Sequence, residues 1–204
     1  MGTRRVARAL SGDYRAAMPA RHLAAVPLAP AAADLLERVV LVTPDDVPIG
    51  VQEKLRAHED GALHRAVSVF VFDAHGRVLL QRRARTKYHS GGLWSNAACG
   101  HPRPDEPPID AARRRLRDEM GLDCALHPAG VFTYRAELGG GLQEHEVDHV
   151  FVGQCDAEPS PDPNEVEDSR RVTLDELRVE LARRPEAFTA WLPLALAVAL
   201  AEGR

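Results

Sequence analysis

Cys99 lies in a segment whose composition suits proton chemistry. The run from Trp94 to Pro102 reads WSNAACGHP, a mixture of polar, glycine and proline residues that predicts a loop. A thiol in such a loop is more exposed than one on a buried strand, and an exposed thiol can exchange protons. For an isolated cysteine an incidental role is the commoner explanation, but the nearby His101 can tune the thiol or bind a metal.

Metal-ligand side chains form a second candidate site. Glu144 and Glu146 alternate along a predicted strand, so both point to one face together with Asp148. Acids that share a face repel one another unless a cation or solvent relieves them, and a solvated face is the alternative explanation. With histidines added, the set suits Zn, Mn or Fe better than Ca, which prefers oxygen ligands. The histidines assigned to the set are His58, His64 and His101, and those not expected to be ligands are His22, His75, His89, His127, His145 and His149.

A third pattern, G-x5-E-x7-R-x-U-x-x-E-x-G-U with U apolar, spans residues 100–122. Its fixed positions are Gly100, Glu106, Arg114, Leu116, Glu119, Gly121 and Leu122. A loop–helix–loop with acids on one helical face can hold Mg²⁺ against a diphosphate. The hydrolytic Nudix box has further glutamates where this chain has Arg115 and Asp118, which weakens the case for phosphoanhydride hydrolysis. Arg115 instead adds a cation that can bind a phosphate through two hydrogen bonds.

Basic residues precede the candidate loop. Lys54, Arg83 and Lys87, taken singly, are most simply solvated surface charges. The run RRARTK at residues 82–87 looks more like a clamp for an anion. Across the whole chain, 26 Lys and Arg stand against 30 Asp and Glu, a net charge of −4 that argues against a nucleic-acid partner.

The length and composition are those of an ordinary globular chain. It has 204 residues, 45% hydrophobic and 27% charged, which suits one domain rather than two. Three cysteines are too few for a disulfide scaffold, so a reducing compartment, the cytoplasm, is expected. No apolar stretch is long enough to predict a membrane span, and a monomer is expected.

Periodicity and turn signals predict the elements that position these residues. Strands are expected over residues 38–42, 66–72, 77–83, 123–127, 131–137, 142–152 and 167–172, with a hairpin turn at 73–76 and a loop over 90–104. Residues 52–57 are expected to be a short helix or irregular. Longer helices are expected from Pro108 to Gly121, from the capping box of Thr173 and Glu176 to Pro185, and over 188–201.

This order of elements predicts an α+β fold with a mixed or antiparallel sheet. A single domain is expected over residues 37–204, behind a poorly ordered N-terminal extension over residues 1–36. A transit-type extension is the alternative for that Ala- and Arg-rich segment.

Several motifs in one order resemble the type 1 isopentenyl diphosphate isomerases, a branch of the Nudix fold. The motifs are LHRAVSVF (63–70), NAACGHP (96–102), TYRA (133–136), EHEVDHV (144–150) and FTAWL (188–192), and the resemblance runs from about Glu37 to the C-terminus. Ala97 and Ala98 stand where Ser- or Cys-containing versions are expected. The resemblance implies a Nudix-type α/β/α sandwich with a mixed β-sheet.

The same resemblance implies an activity and a role for each residue. Such enzymes interconvert isopentenyl and dimethylallyl diphosphate by protonation and deprotonation through a tertiary carbocation. Cys99 and Glu146 would act on opposite faces of the alkene, with Tyr134 assisting and Trp191 stacking near the cation. One divalent ion, Mn²⁺ or Zn²⁺, would bind His58, His64, His101, Glu144 and Glu146. Glu119 with Mg²⁺ would hold the diphosphate, together with Lys54, Arg83, Lys87 and Arg115.

Other functions explain fewer of these residues. A Nudix pyrophosphohydrolase accounts for the helix but expects Glu at the position of Arg115. A metal-stabilised binding module accounts for the histidines and acids but leaves Cys99 and Tyr134 without a role. An enzyme that uses the same proton chemistry on another prenyl diphosphate stays open, because pocket shape decides which alkene fits.

Overall fold

The computed structural model describes residues 37–201, so the predicted N-terminal extension and the last three residues lie outside the described part of the chain. The strands are β1 (Arg38–Val42), β2 (Pro48–Glu53), β3 (His64–Phe72), β4 (Val78–Arg83), β5 (Trp94–Ser95), β6 (Ala98–Gly100), β7 (Leu126–Gly139), β8 (Leu142–Gln154) and β9 (Val166–Val172). The helices are α1 (Lys54–Asp60), α2 (Pro108–Met120), α3 (Leu174–Arg183) and α4 (Leu192–Ala199), with a 3₁₀ turn at Pro185–Ala187.

Strand β3 organises a mixed sheet. It pairs in parallel with β8 and antiparallel with β1, β4 and β6. The parallel register sets His64 opposite Glu146, and the β6 register sets Cys99 opposite Ser68. Because residues two apart share a face, His64, Ser68, Cys99 and Glu146 all lie on the same side of the sheet.

The two faces of β3 bury different cores. Val67, Val69 and Val71 pack in a core that includes Leu116 and other apolar residues of α2. Phe70 points the other way, into a core that holds the buried residues of α4. Helices therefore cover both faces of the sheet, which confirms the predicted α+β class and the α/β/α sandwich.

Local signals predicted several elements correctly. The hairpin of β3 and β4 forms around residues 73–76. Helix α2 ends at Gly121 in the left-handed conformation (φ 64°), where glycine carries no steric penalty. Thr173 and Glu176 form the expected reciprocal capping box at the start of α3.

Other predicted elements were wrong. The loop over 90–104 contains β5 and β6, which are only two and three residues long and are held by neighbouring strands. The strands predicted over 123–127 and 131–137 form one strand, β7, whose register shifts between Pro128 and Gly130. Strand β2 was not predicted, and residues 52–57 belong partly to it and partly to α1.

The last helix is shorter than expected and begins at Leu192. Phe188 instead bridges to Trp94, and the Thr189 amide donates to the Trp94 carbonyl, 2.9 Å away. Within residues 37–201, no helix has the length and apolar character needed to cross a bilayer.

Candidate active site

A pocket opens on the sheet face that carries Glu146. Its walls come from β3, β6, β7, β8, the N-terminus of α1, the segment after β4 and the turn before α4. The predicted site residues that line it are Lys54, Arg83, Lys87, Cys99, His101, Arg115, Tyr134, Glu144, Glu146 and Trp191. His58, His64 and Glu119 lie behind this lining, all of them buried.

The predicted metal ligands converge at the inner end of the pocket. His64 Nε2 lies 3.2 Å from His101 Nε2, and His101 Nε2 lies 3.0 Å from Glu146 Oε1. Alongside them, His58 Nε2 lies 3.1 Å from Glu144 Oε2. The donor atoms of His58, His64, His101 and Glu146 all lie within 4.8 Å of one another. Glu144 instead joins His58 in a neighbouring group.

Backbone carbonyls orient two of these imidazoles. His58 Nδ1 lies 2.6 Å from the Lys54 carbonyl, and His64 Nδ1 lies 2.8 Å from the Ala62 carbonyl. A carbonyl only accepts, so each Nδ1 carries the proton, and in a neutral ring the Nε2 lone pair faces the cluster. His101 Nδ1 has no hydrogen-bond partner within residues 37–201, so His101 Nε2 can carry the ring proton and donate it to Glu146 Oε1, and a bound cation would take the place of that proton. This donor set fits a divalent metal ion.

Burial and neighbouring charges shift the pKa values of the cluster residues in different directions. Burial lowers the pKa of His101 to about 4, which keeps that imidazole neutral and able to bind a metal. Burial alone would raise the pKa of Glu146, but a hydrogen bond from His101 and the neighbouring His64 imidazole hold it well below its usual range. Burial and the charge of Glu146 raise the pKa of Glu144. The site therefore combines at least one neutral imidazole, that of His101, with at least one carboxylate anion, that of Glu146, as a cation site requires.

Asp148 shares the face of the two glutamates without joining the ligand group. Its Oδ2 accepts a 2.7 Å hydrogen bond from Ser68 Oγ. Burial and the charge of Glu146 raise its pKa well above the usual range. The alternation along β8 therefore places Glu144, Glu146 and Asp148 on one face, as predicted. Asp148 differs from the two glutamates because its partner is Ser68 rather than a histidine.

The environment of Cys99 differs from the sequence expectation. The residue lies on β6, half-buried, rather than in an exposed loop. Arg83 Nη1 lies 3.4 Å from its Sγ, and burial nevertheless raises the pKa of the thiol to about 12. At neutral pH the sulfur therefore carries its proton.

Tyr134 and Glu146 form a direct pair. The Tyr134 hydroxyl donates a 2.7 Å hydrogen bond to Glu146 Oε2, while Glu146 Oε1 faces the histidines. Burial and the neighbouring carboxylate raise the pKa of Tyr134 well above its usual range, so the phenol stays protonated. One carboxylate thus joins the histidine cluster to the substrate pocket.

The predicted diphosphate-binding cations lie together at the outer end of the pocket, and acids accompany them. Lys54 Nζ lies 2.7 Å from Glu37, and Lys87 Nζ lies 2.6 Å from Glu165. Arg115 contacts the same Glu165 at 3.1 Å. Burial would raise the pKa of Glu165, but Arg115 and Lys87 hold it below its usual range.

Glu119 occupies a different place from the histidine cluster. It projects from α2 beneath β6, where its Oε1 accepts from the Cys99 amide (3.2 Å) and from Arg115 Nε (2.9 Å). Gln81 donates to its other oxygen. The carboxylate therefore supports the backbone of Cys99 and lies on the side of the diphosphate-binding cations.

Two functional candidates were missed by the sequence reasoning. Asn96 is fully buried; its Oδ1 accepts from Trp191 Nε1 (3.1 Å), and its Nδ2 donates to the Ala98 carbonyl (2.6 Å). It therefore joins the indole to the strand of Cys99. His89, which was not expected to be a ligand, is buried with Nε2 3.7 Å from Glu144 Oε1. For Asn96, the only available signal was its place within the motif NAACGHP. For His89, no local sequence pattern indicated a place in the site.

Comparisons with known proteins agree with the resemblance in the sequence. The NUDIX domain family model matches residues 62–192. "Isopentenyl-diphosphate Delta-isomerase 2" of Aromatoleum aromaticum is 54% identical over 160 residues, covering 78% of this chain and 85% of the relative. "Isopentenyl-diphosphate Delta-isomerase" of Pectobacterium atrosepticum is 49% identical over 162 residues, covering 79% of this chain and 90% of the relative.

Solved structures share the fold at lower sequence identity. DR0079 from Deinococcus radiodurans has a TM-score of 0.62 at 20% identity, covering 79% of this chain and 97% of that one. A MutT protein from Methanosarcina mazei Go1 has a TM-score of 0.57 at 21% identity, covering 70% of this chain and 96% of that one. At these identities the likeness concerns the fold alone.

Proposed function

The chain belongs to the isopentenyl-diphosphate Delta-isomerases among the NUDIX-domain proteins, and from that premise we propose how its pocket moves a carbon–carbon double bond between isopentenyl diphosphate and dimethylallyl diphosphate. The observation that carries the mechanism is that the Cys99 thiol and the Tyr134-bound Glu146 carboxylate line one pocket. The thiol can donate a proton and the carboxylate can accept one, and the isomerisation needs both steps.

The proposed proton transfers follow from those ionisation states. Cys99 holds a proton at neutral pH, and Glu146 is ionised. Cys99 adds a proton to one face of the alkene, which leaves a tertiary carbocation. Glu146, assisted by Tyr134, removes a proton from a neighbouring carbon on the opposite face, and the new double bond forms. In the reverse direction the two groups exchange roles.

The pocket walls protect the cation. Trp191 is buried, and its ring already accepts a cation, since the Arg83 guanidinium lies 5.4 Å from the ring centroid. The same π face can stabilise a carbocation. A buried reaction zone also keeps out water that would quench the intermediate.

The histidine and glutamate cluster holds a divalent metal ion in this proposal. His58, His64, His101, Glu144 and Glu146 bind it, with Mn²⁺ or Zn²⁺ as the candidate ions. When bound, the ion stabilises the ionised form of Glu146 and so adjusts its proton affinity. The protein's part is to hold the Nε2 lone pairs toward the ion through the carbonyl contacts of His58 and His64.

The outer cations anchor the diphosphate. Lys54, Arg83, Lys87 and Arg115, which line the pocket, would bind its oxygens, and Glu119, which contacts Arg115 from behind the lining, would hold an accompanying Mg²⁺ that neutralises the diphosphate charge. Anchoring this remote group fixes the alkene between Cys99 and Glu146. We further expect a monomer in a reducing compartment such as the cytoplasm, where its cysteines stay free thiols.

The test is to incubate the purified protein with isopentenyl diphosphate and Mg²⁺ in deuterated water. Isomerisation gives dimethylallyl diphosphate that carries deuterium, because protons exchange during each turnover. Release of phosphate without a labelled isomer would instead support the pyrophosphohydrolase. Reaction of a longer prenyl diphosphate in preference to isopentenyl diphosphate would support the related-enzyme alternative.

A further inference from the structure

Asn96 lies between β5 and β6 and is fully buried. Its Nδ2 donates to the Ala98 carbonyl at 2.6 Å and to the Val69 carbonyl at 3.3 Å. Its Oδ1 accepts from Trp191 Nε1 at 3.1 Å and from Ser95 Oγ at 3.0 Å. A primary amide has two donor hydrogens and two acceptor lone pairs. All four hydrogen-bonding positions of Asn96 are therefore used inside the protein, and none is left for a substrate.

These partners require an amide at this position. Both carbonyls only accept and the indole N–H only donates, which fixes the orientation of the Asn96 side chain. An aspartate carboxylate has no hydrogen to donate to Ala98 or Val69, and an aliphatic side chain bonds none of the partners. A buried polar network whose members are all satisfied holds them in one arrangement. Asn96 therefore fixes the relative positions of the groups that it bonds.

The groups held by Asn96 belong to the reaction zone. One of its bonds goes to the carbonyl immediately before Cys99 on β6, and another goes to Trp191, which directly precedes α4. Cys99 and Trp191 both line the pocket, although they are far apart in the chain. A further hydrogen bond, 3.1 Å between Ser95 Oγ and Thr189 Oγ1, joins the same two segments. The Asn96 side chain is thus a direct link between the strand of the thiol and the indole.

We propose that Asn96 is a positioning residue for the isomerisation, one that holds the Trp191 indole in its place relative to the Cys99 thiol. Protonation of the alkene by Cys99 creates the carbocation, and an aromatic ring stabilises a cation only within about 6 Å of its centroid. Asn96 has no free hydrogen-bonding position for the substrate, so it acts through Trp191. The proposal rests on the proposed function, because a misplaced indole matters only if the reaction passes through a cation.

The kinetic signature of this role differs from that of support for the fold. Stabilisation of the cation acts on the chemical step, so its loss lowers kcat. The diphosphate is held by other side chains, so KM for isopentenyl diphosphate should change by less than about twofold. The competing explanation is that Asn96 only stabilises the fold, in which case its loss lowers Tm and leaves kcat of the folded protein unchanged.

Replacing one atom of the indole tests the hydrogen bond while Asn96 stays in place. Benzothienylalanine at position 191 of the full chain keeps the fused ring but has sulfur where tryptophan has N–H. We expect kcat to fall about fivefold or more, because the ring is no longer held by the amide. The same analogue at Trp94, whose ring centroid lies 4.2 Å from the Arg170 guanidinium, is the matched control and should leave kcat as in wild type. An unchanged kcat with the analogue at position 191 would overturn the proposal.

A double-mutant cycle tests the same link from the side of Asn96. Asn96→Ala should lower kcat about tenfold in the wild-type chain but by a clearly smaller factor in the Trp191→Phe chain, which has no indole N–H to hold. Equal factors in both chains would overturn the proposal. Thr173→Ala is the stability control, since it removes the capping box of α3 and should lower Tm without lowering kcat. A wild-type chain that does not isomerise isopentenyl diphosphate would overturn the proposed function and this proposal together, whereas an active wild type with unchanged kcat in the analogue chain would overturn this proposal alone.

Discussion

The pocket has two halves that compensate charge in opposite ways. The metal half consists of His58, His64, His101, Glu144 and Glu146, and the diphosphate half consists of Lys54, Arg83, Lys87 and Arg115. In the metal half, the donor atoms of His58, His64, His101 and Glu146 lie within 4.8 Å of one another, and Glu144 pairs with His58 beside them. In the diphosphate half, Lys54, Lys87 and Arg115 each contact a carboxylate of the same chain.

This difference teaches what each half needs from its ligand. The metal half is a buried cluster of imidazoles and carboxylates that a bound ion would hold together, so binding of an ion adds stability. In the diphosphate half, Lys54, Lys87 and Arg115 are already paired with acids, so a diphosphate must take these three cations from them. We therefore expect metal removal to lower stability, and we expect loss of a single outer cation to lower affinity moderately.

The largest effect is expected where the two halves meet, at the proton-transfer pair. Cys99→Ala and Glu146→Gln should each reduce the isomerisation rate by about 10²- to 10⁴-fold or more, because a positioned acid or base is lost. Product formation from isopentenyl diphosphate measures the rate, and circular dichroism checks the fold. Cys124→Ala is the matched control, since that cysteine packs against the core around α2.

The same pair of variants tests the division into halves. Glu146 belongs to the metal half, so Glu146→Gln should also weaken metal binding. Cys99→Ala should leave metal affinity as in wild type. A fully active Cys99→Ala protein would contradict the proposed mechanism.

Metal removal is expected to give the next largest effect, this time on stability. An ion present at about a hundred times its Kd adds roughly 3 kcal/mol, which corresponds to roughly 5–10 °C in Tm for a chain of this size. Thermal unfolding with and without chelator measures the shift. An unchanged Tm, with no metal found by elemental analysis in an active protein, would refute the metal half as described.

Local patterns in the sequence identified the members of both halves but not their contacts. The alternation of Glu144, Glu146 and Asp148 correctly predicted one shared face. The contact of His64 with Glu146 depends on the parallel register of β3 and β8, which pairs strands far apart in the chain. Such pairing leaves no short-range signal, so the convergence of the metal half came only from the structure.

The errors also have physical causes. Cys99 was expected to be exposed because the polar and glycine-containing composition of its segment predicted a loop, yet pairing with β3 and the support of Glu119 make it a half-buried strand residue. His89 was not expected to belong to the site, yet tertiary packing places it beside His58. Glu165, which contacts both Lys87 and Arg115, directly precedes β9, and no sequence pattern connected it with the site.

A moderate effect is expected from a conservative change in the diphosphate half. Arg83→Lys keeps the charge but loses the planar guanidinium that faces Trp191 and contacts Cys99. We expect KM for isopentenyl diphosphate to rise about tenfold, with a smaller change in kcat and an unchanged chelator-dependent shift in Tm. Arg82→Lys is the control, because its guanidinium bonds the Gly92 carbonyl instead. Equal kinetics for the two variants would refute a role of Arg83 in binding.

The smallest effect is expected from removing an acid of the diphosphate half. Glu165→Gln should lower KM by no more than about threefold, because Lys87 and Arg115 no longer have to leave a carboxylate. The same change should cost stability at neutral pH, by about 1 kcal/mol or less. A group with a lowered folded-state pKa stabilises the fold above its unfolded pKa of about 4.3 and loses that contribution as the pH falls through the folded value.

The stability difference between wild type and Glu165→Gln should therefore be constant near pH 7 and shrink below about pH 4. Urea unfolding across this range measures it. Glu167→Gln is the control, since Glu167 pairs with the exposed Arg85. If Glu165→Gln raised KM instead, Glu165 would be holding Lys87 and Arg115 in place for the diphosphate rather than competing with it. The diphosphate half would then depend on its acids in the way that the metal half depends on its ion.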